Sequence, residues 1–226
     1  MGKAELSLPE VRNMILAFAH GMIASTDILT QADKAVGDGD HGIGMARGFT
    51  GVIEKVEGQE FTSIGHLFKT VGMAILTTAG GAAGAIFGTL IRGIAENAME
   101  QTVLTSALFS HMLFDGLRAV QARGGAKPGD KTMIDALEPA ALESERHLSE
   151  PLFAALSAIA EAARLGMEKT RDMVATVGKA KTLCERSLGH PDPGAISMAL
   201  ILEFIAEYVA KYRGNNKPQR IFIIKS

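Results

Sequence analysis

The segment GDGDHGIG, residues 37–44, sets two aspartates between glycines, and Asp33 lies shortly before it. Residues two apart in an extended chain point the same way, so Asp38 and Asp40 can direct their carboxylates at one point, which Asp33 is close enough to share. Three converging carboxylates repel one another unless a cation lies among them, and Mg²⁺ prefers such oxygen ligands. His41 could support one of the carboxylates. A solvated acidic turn is the alternative, and the loop alone leaves both open.

A second candidate is the glycine-rich segment TTAGGAAGAIFG, residues 77–88. A glycine-rich turn that opens into a helix presents free backbone N–H groups at the positive end of the helix dipole, and such a turn binds anions. The segment is not a P-loop, because no lysine follows it, and not a Rossmann fingerprint, because no strand precedes it. Tight helix packing through small residues explains the same glycines equally well.

Two loops, residues 124–132 and 184–195, add charged side chains near glycines. The side chains concerned are Lys127, Lys131, Arg186, His190 and Asp192. A plain helix N-cap is an equally good explanation for Asp192, and the single cysteine, Cys184, is expected to be a packed thiol. Taken with the acidic loop and the glycine-rich turn, these loops supply what Mg²⁺–nucleotide binding needs. Phosphoryl transfer depends mainly on positioning and on neutralising charge.

Helices are the elements that must position these residues. Apolar residues at helical spacing and capping signals predict about eight helices. The first follows Ser7, and the others cover about 43–56, 62–78, 82–94, 105–122, 132–147, 151–178 and 193–208. We therefore expect an all-α fold, an eight-helix antiparallel bundle or closed barrel. It should form a single domain over residues 1–213, and residues 214–226 should form a tail that could extend as a short strand or arm.

Composition excludes several classes of protein. Hydrophobic residues make up 47% of the 226, charged residues 21%, and the net charge of −2 gives no support to a nucleic-acid partner. One cysteine excludes an internal disulfide and fits a reducing compartment, and no signal peptide is evident, so we expect a cytoplasmic protein. The uncharged stretch 71–91 is long enough to span a bilayer, but its five glycines favour a buried helix, a turn and a second helix.

The order of the motifs resembles that of one family. AVGDGDHGIGMARGF with the preceding Asp33, then GGAAGAIFGT, KPGDKTMIDAL and ERSLGHPDPGA, are similar to the L subunit, the nucleotide-binding domain, of dihydroxyacetone kinases. The similarity runs from about residue 27 to residue 202. It implies an eight-helix barrel that binds ADP or ATP at one end through two Mg²⁺ ions, held here by Asp33, Asp38 and Asp40.

The resemblance also implies the remaining site residues. With the three aspartates, Arg186 would serve catalysis. The nucleotide-binding set would consist of His41, Thr78, Gly80, Gly81, Ala82, Gly84, Lys127, Gly129, Asp130, Thr132, Met133, Arg186, Asp192, Pro193 and Gly194.

Partners follow from the same resemblance. In the family a separate K subunit holds the small ketose, and the phosphoryl donor is either exchangeable ATP or a phosphotransferase-system subunit, the M type, which recharges bound ADP. The chain could also form a homodimer. Three alternatives stay open: an ADP-sensing subunit without catalysis, a kinase subunit for a four-carbon sugar, and a fatty-acid kinase-like domain, which the intact aspartate loop disfavours.

The chain departs from the family pattern at two places. Ala83 stands where the family usually has serine, and Ala85 replaces the proline that follows. The segment GKAKTLCERS, residues 178–187, also differs before its ERS, at Lys179, Lys181 and Thr182. These changes affect phosphate contacts and the nucleotide lid, whereas the aspartate triad is intact.

Overall fold

A computed structural model describes residues 2–211, which form nine α-helices, four short 3₁₀ turns and one two-stranded ribbon. The α-helices are α1 Leu8–Ala24, α2 Thr26–Val36, α3 His41–Val56, α4 Ile64–Thr78, α5 Gly81–Ile94, α6 Ser106–Gly124, α7 Ile134–Ser144, α8 Leu152–Lys169 and α9 Pro193–Lys211. The 3₁₀ turns are Glu96–Ala98, Glu145–His147, Thr170–Asp172 and Lys179–Ser187, and the antiparallel strands are β1 Leu6–Ser7 and β2 Val103–Leu104.

Eight of the helices form a closed antiparallel barrel, as predicted. Around it, α1 packs on α3, each helix from α3 to α8 packs on the next, and α9 closes the ring by packing on α1. The extra helix, α2, contacts α3, α9 and the 3₁₀ turn Lys179–Ser187. Because successive barrel helices alternate in direction, the loops before α3, α5, α7 and α9 all lie at one end, which we call the site end.

Local signals set the helix ends. The backbone N–H of Ser7 donates to the Glu10 carboxylate at 2.9 Å, so Ser7 and Glu10 form a capping box at the predicted helix start, with Pro9 in the first turn. The Ser63 and Thr105 hydroxyls cap α4 and α6. Gly125, at φ 68°, ends α6 in the left-handed conformation that glycine adopts without penalty.

Small residues let the helices pack closely around an aliphatic core. A Cβ on Gly88 would lie 2.8 Å from the Leu76 Cβ, and one on Gly72 would lie 2.6 Å from the Arg92 Cγ, so α4 and α5 touch through their glycines. The uncharged stretch 71–91 is thus two barrel helices and a turn. Among the described residues, only α9 is long and apolar enough to cross a membrane. Two thirds of its most apolar 18-residue stretch is buried in the barrel.

The structure differs from the sequence expectation at several points. A break at Ser25 separates α1 from α2, and the short ribbon of β1 and β2 was not expected. The helix predicted to reach residue 178 ends at Lys169, because Met173 turns to extended backbone and the carbonyls of Thr170 and Met173 accept from the Lys131 ammonium. The predicted tail, and the domain end at residue 213, lie outside the described residues.

Candidate functional site

The acidic loop lies at the site end, between α2 and α3. Asp33 is on the last turn of α2 and is buried, while the side chains of Asp38 and Asp40 are 54% and 66% exposed. A Cβ on Gly37 would lie 2.4 Å from the Asp33 Oδ1. A side chain at this position would therefore clash with the Asp33 carboxylate, and glycine avoids the clash. Asp33 is fixed in place because its Oδ2 accepts from the His41 backbone N–H at 3.1 Å.

The three aspartates converge as predicted. One carboxylate oxygen from each lies within 4.8 Å of the others, and among the described residues this is the one acidic, histidine or cysteine group so arranged. Hard oxygen donors at this spacing fit a divalent cation such as Mg²⁺. The chemistry of the donor set therefore agrees with a metal site.

A lysine from a distant segment reaches the same carboxylates. The Lys179 Nζ donates to the Asp38 Oδ2 at 2.5 Å and to the Asp40 Oδ2 at 3.2 Å. The hydrogen bond from Lys179 lowers the pKa of Asp38, and the same bond raises the pKa of Lys179. The ammonium group of Lys179 thus lies where the acidic cluster attracts positive charge. Lys179, Asp38 and the end of α2 line a cavity of about 230 Å³.

His41 contributes through its backbone more than its ring. The His41 Nε2 lies 2.7 Å from the Ser197 Oγ on α9, and burial lowers the pKa of the ring. The support for Asp33 comes from the backbone N–H of His41, so the proposed aid to a carboxylate is present but does not involve the imidazole.

The glycine-rich turn lies against α3, the helix that follows the acidic loop. Gly80, at φ 73°, is the N-cap of α5, whose Gly84 N–H already donates to the Gly80 carbonyl. The N–H groups of Gly81, Ala82 and Ala83 precede the first bond of the helix and are available to an anion. Gly84 is buried against Ala79. A Cβ at this position would come within 3.0 Å of the Ala79 Cβ, so a larger residue would disturb this close packing. Both explanations of these glycines, packing and anion binding, are therefore compatible with the structure.

Arg47 on α3 holds the turn from the other side. Its Nε donates to the Thr78 carbonyl at 3.0 Å and its Nη2 to the Ala79 carbonyl at 2.5 Å. The Thr78 hydroxyl donates back into α4, to the Ala74 carbonyl at 2.7 Å. Arg47 was not among the predicted site residues, although it lies inside the first motif.

The loop before α7 is ordered by two aspartates. The Asp135 carboxylate accepts from the Gly129 N–H at 2.6 Å and from the Thr132 N–H at 2.8 Å. Asp130 accepts from the Lys127 N–H at 2.7 Å. Lys127 and Gly129 are exposed, so they remain accessible to a ligand at the site end.

The start of α9 packs against this loop. The Asp192 carboxylate accepts from the Ala195 N–H at 2.8 Å, which confirms the predicted N-cap, and burial raises the pKa of that carboxyl to about 7. Pro193 is buried, and a Cβ on Gly194 would lie 3.4 Å from the Met133 Cβ. The predicted residues of the third and fourth motifs are thus neighbours.

One residue of the 3₁₀ turn Lys179–Ser187 does not match its prediction, whereas the predicted role of Arg186 stays a prediction. Cys184 is exposed and not a packed thiol, because its backbone, at φ 49° and ψ −129°, turns the side chain outward. Arg186 is exposed and makes no hydrogen bond or ion pair with any residue between 2 and 211. Lys179, not Arg186, is the cation that reaches the aspartates.

Comparison with known proteins agrees with this arrangement. Residues 35–207 match the model of the DAK2 domain. The chain belongs to the DAK2 family. It is 37% identical over 205 residues to the ADP-binding subunit DhaL of the PEP-dependent dihydroxyacetone kinase of Escherichia coli, covering 89% of this chain and 97% of that one. It is 33% identical to the D-erythrulose kinase of Mycolicibacterium smegmatis, of which it spans 34%.

Solved structures confirm the fold of this DAK2 chain. The dihydroxyacetone kinase of C. freundii in its native form matches with a TM-score of 0.69 and 28% identity, over 87% of this chain and 34% of that enzyme. The same kinase in complex with AMP-PNP and Mg²⁺ matches with a TM-score of 0.67 and 27% identity, over 87% and 33%. The all-α barrel and the family resemblance predicted from the sequence are both confirmed.

Proposed function

We propose that this chain is the nucleotide-binding subunit of a small-ketose kinase and takes part in Mg²⁺-dependent phosphoryl transfer. The observation that carries the proposal is the convergence of Asp33, Asp38 and Asp40 within 4.8 Å at the site end. Asp40 is the N-cap of α3, and α3 contacts α5, whose first turn is open. A carboxylate cluster next to free N–H groups can hold a metal ion and a phosphate chain together.

Each group has a role in this proposal. Asp33, Asp38 and Asp40 would hold Mg²⁺, which when bound supplies positive charge to the phosphates; a pair of ions is what the family resemblance implies. The N–H groups at the start of α5 would bind phosphate oxygens. Lys179 lies close enough to add positive charge where negative charge develops during transfer. The half-buried Ala83 offers its N–H but no hydroxyl.

The acceptor is proposed to be a three- or four-carbon ketose held by a separate K-type subunit. The full-length relatives are dihydroxyacetone kinase subunits, and the D-erythrulose kinase relative supports a four-carbon alternative. The relatives covered over most of their length are named PEP-dependent or PTS-dependent. We therefore favour bound ADP that a phosphotransferase-system subunit of the M type converts to ATP, from which the phosphoryl group passes to a ketose hydroxyl.

Calorimetric titration with ADP, in Mg²⁺ and in EDTA, tests the nucleotide site. The wild-type chain should bind ADP much more tightly in Mg²⁺, and Asp38→Asn should lose most of that difference while keeping its fold. Asp27→Asn is the matched control, because Asp27 is an exposed aspartate in the first turn of α2, the helix that precedes the acidic loop. Equal Mg²⁺ dependence in wild type and Asp38→Asn would contradict the assignment.

Reconstitution tests the reaction. The chain, a K-type subunit and dihydroxyacetone or erythrulose should give sugar phosphate when the phosphoenolpyruvate-driven phosphotransferase proteins are added, and less with ATP alone. Tight ADP binding without transfer from either donor would instead support the ADP-sensing subunit.

A further inference from the structure

Lys131, one of the charged loop residues noted in the sequence but not part of the nucleotide-binding set that the resemblance implies, is a buried cation. It is 2% exposed, and its Nζ donates to three backbone carbonyls: Thr170 at 2.6 Å, Met173 at 3.0 Å and His190 at 2.6 Å. A lysine ammonium has three donors. All three are therefore used on main-chain carbonyls, and the charge is held in one position.

These carbonyls come from two segments far from Lys131 in sequence. Thr170 and Met173 follow α8, and His190 precedes α9, so the ammonium ties both ends of residues 173–192 to the loop before α7. We call residues 173–192 the lid segment. It carries Lys179, which reaches the metal-site aspartates, and Arg186.

A second contact closes the same junction. The Asp192 N–H donates to the Thr170 Oγ1 at 2.9 Å, and Thr170 is fully buried. The Gly189 N–H donates to the Arg171 carbonyl at 2.8 Å. The two ends of the lid segment are thus joined to each other, and Lys131 joins them to the barrel.

The backbone of Lys131 indicates that this geometry is imposed by its surroundings. Its φ of 60° lies in the left-handed region, which a lysine rarely adopts. Asp135 holds the neighbouring amides of Gly129 and Thr132 at 2.6 and 2.8 Å. A strained residue persists where its neighbours determine it, and such residues concentrate at functional sites.

Acidic neighbours oppose the cost of burying the Lys131 ammonium. Burial lowers the pKa of its ammonium, and the carboxylates of Asp192 and Asp172 act in the opposite direction. A neutral apolar side chain could fill the same volume but could not bind three carbonyls, so the contact depends on the ammonium itself.

We propose that Lys131 is a positioning residue whose ammonium fixes the lid segment, and with it Lys179, over the nucleotide site. The role rests on the proposed function, because it assigns Lys131 to the binding of the nucleotide. Lys131 itself need not touch the nucleotide.

Lys131→Met, with Lys169→Met as the matched control, tests this. Lys169 is an exposed lysine at the end of α8, next to Thr170. Hydrogen exchange without nucleotide should become at least tenfold faster in residues 173–192 of Lys131→Met, while the barrel helices keep their protection. The affinity for ADP in Mg²⁺, measured well below the unfolding temperature, should fall at least tenfold, and Lys169→Met should match wild type in both readouts.

The two readouts separate the hypotheses. Unchanged exchange in the lid segment would overturn the proposal, as would faster exchange with unchanged ADP affinity. A wild-type chain that binds no ADP would refute the proposed function and the nucleotide-site role with it, and the exchange result would then decide whether Lys131 fixes the lid segment at all. If Lys131→Met does not fold, Thr170→Val, which removes the hydroxyl bonded to the Asp192 N–H, should give the same changes with smaller size.

Discussion

Replacing Cys184 by glycine should stabilise the protein. At φ 49° and ψ −129°, Cys184 has the backbone of the first central residue of a type II′ turn, which glycine dominates. A non-glycine residue in so sparsely populated a region costs about 1–3 kcal/mol. Glycine has more conformational freedom in the unfolded chain, and this offsets about 0.5–1 kcal/mol of the stabilisation. The expected net stabilisation is about 1 kcal/mol, or a rise of about 2–4 °C in Tm for a domain of this size.

The strain at Cys184 should lower the free energy of global unfolding. The Cys184 carbonyl accepts from the Ser187 hydroxyl at 2.7 Å, and the Ser187 Oγ in turn accepts from the Ala175 N–H at 3.0 Å. Ser187 is fully buried, so the turn does not open without exposing a buried polar junction. Relief of the strain should therefore appear in the free energy of global unfolding as well as in local opening.

Calorimetry and urea unfolding of wild type, Cys184→Gly and Cys184→Ala measure this effect. The alanine variant removes the exposed thiol but keeps a Cβ, so it keeps the strain and should lie within about 0.5 kcal/mol of wild type, as surface substitutions usually do. A gain in the alanine variant equal to that of glycine would show that the thiol, not the backbone, is responsible. A loss of stability in Cys184→Gly would refute the reasoning.

Three further changes probe the site end. Gly37→Ala should abolish Mg²⁺-dependent ADP binding in titration calorimetry, because the new Cβ would lie 2.4 Å from the Asp33 Oδ1. Lys179→Met should bind Mg²⁺ alone severalfold more tightly, since no ammonium competes for Asp38; calorimetry showing equal or weaker binding would contradict this. Asp192 has a pKa of about 7, against 3.8 ordinarily, so the folded state holds a proton that the unfolded state loses. The free energy of unfolding of the wild type should therefore fall as pH rises from 5 to 7, and urea unfolding of Asp192→Asn should show a flatter profile.

The parts of the site that the sequence predicts are those that local pattern decides. Asp33, Asp38 and Asp40 lie within eight residues, and the glycines between them allow a fold tight enough for convergence. The capping box of Ser7 and the N-cap of Asp192 are equally local. Local spacing and turn chemistry thus account for these elements.

The remaining contacts join residues far apart in the chain. Lys179 reaches Asp38 across 141 positions, and the Lys131 ammonium reaches carbonyls 39 to 59 residues away. No spacing rule relates such positions, and the exposure of Cys184 follows from a backbone angle that a cysteine seldom adopts. These features depend on how the barrel closes, which brings loops together only after the helices have packed.

The barrel also solves an electrostatic problem for an anionic ligand. At the site end α3, α5, α7 and α9 begin, and their N-termini carry partial positive charge, but α1, α4, α6 and α8 end there with partial negative charge. Arg47 donates to the last carbonyls of α4, and Lys131 donates to the Thr170 carbonyl just after α8. Two of the negative ends are thereby covered by fixed cations, while the first N–H groups of α5 stay open. Phosphate groups would therefore meet the open N–H groups of α5 and not uncovered carbonyls at the ends of α4 and α8, and the aspartates would be left to hold cations.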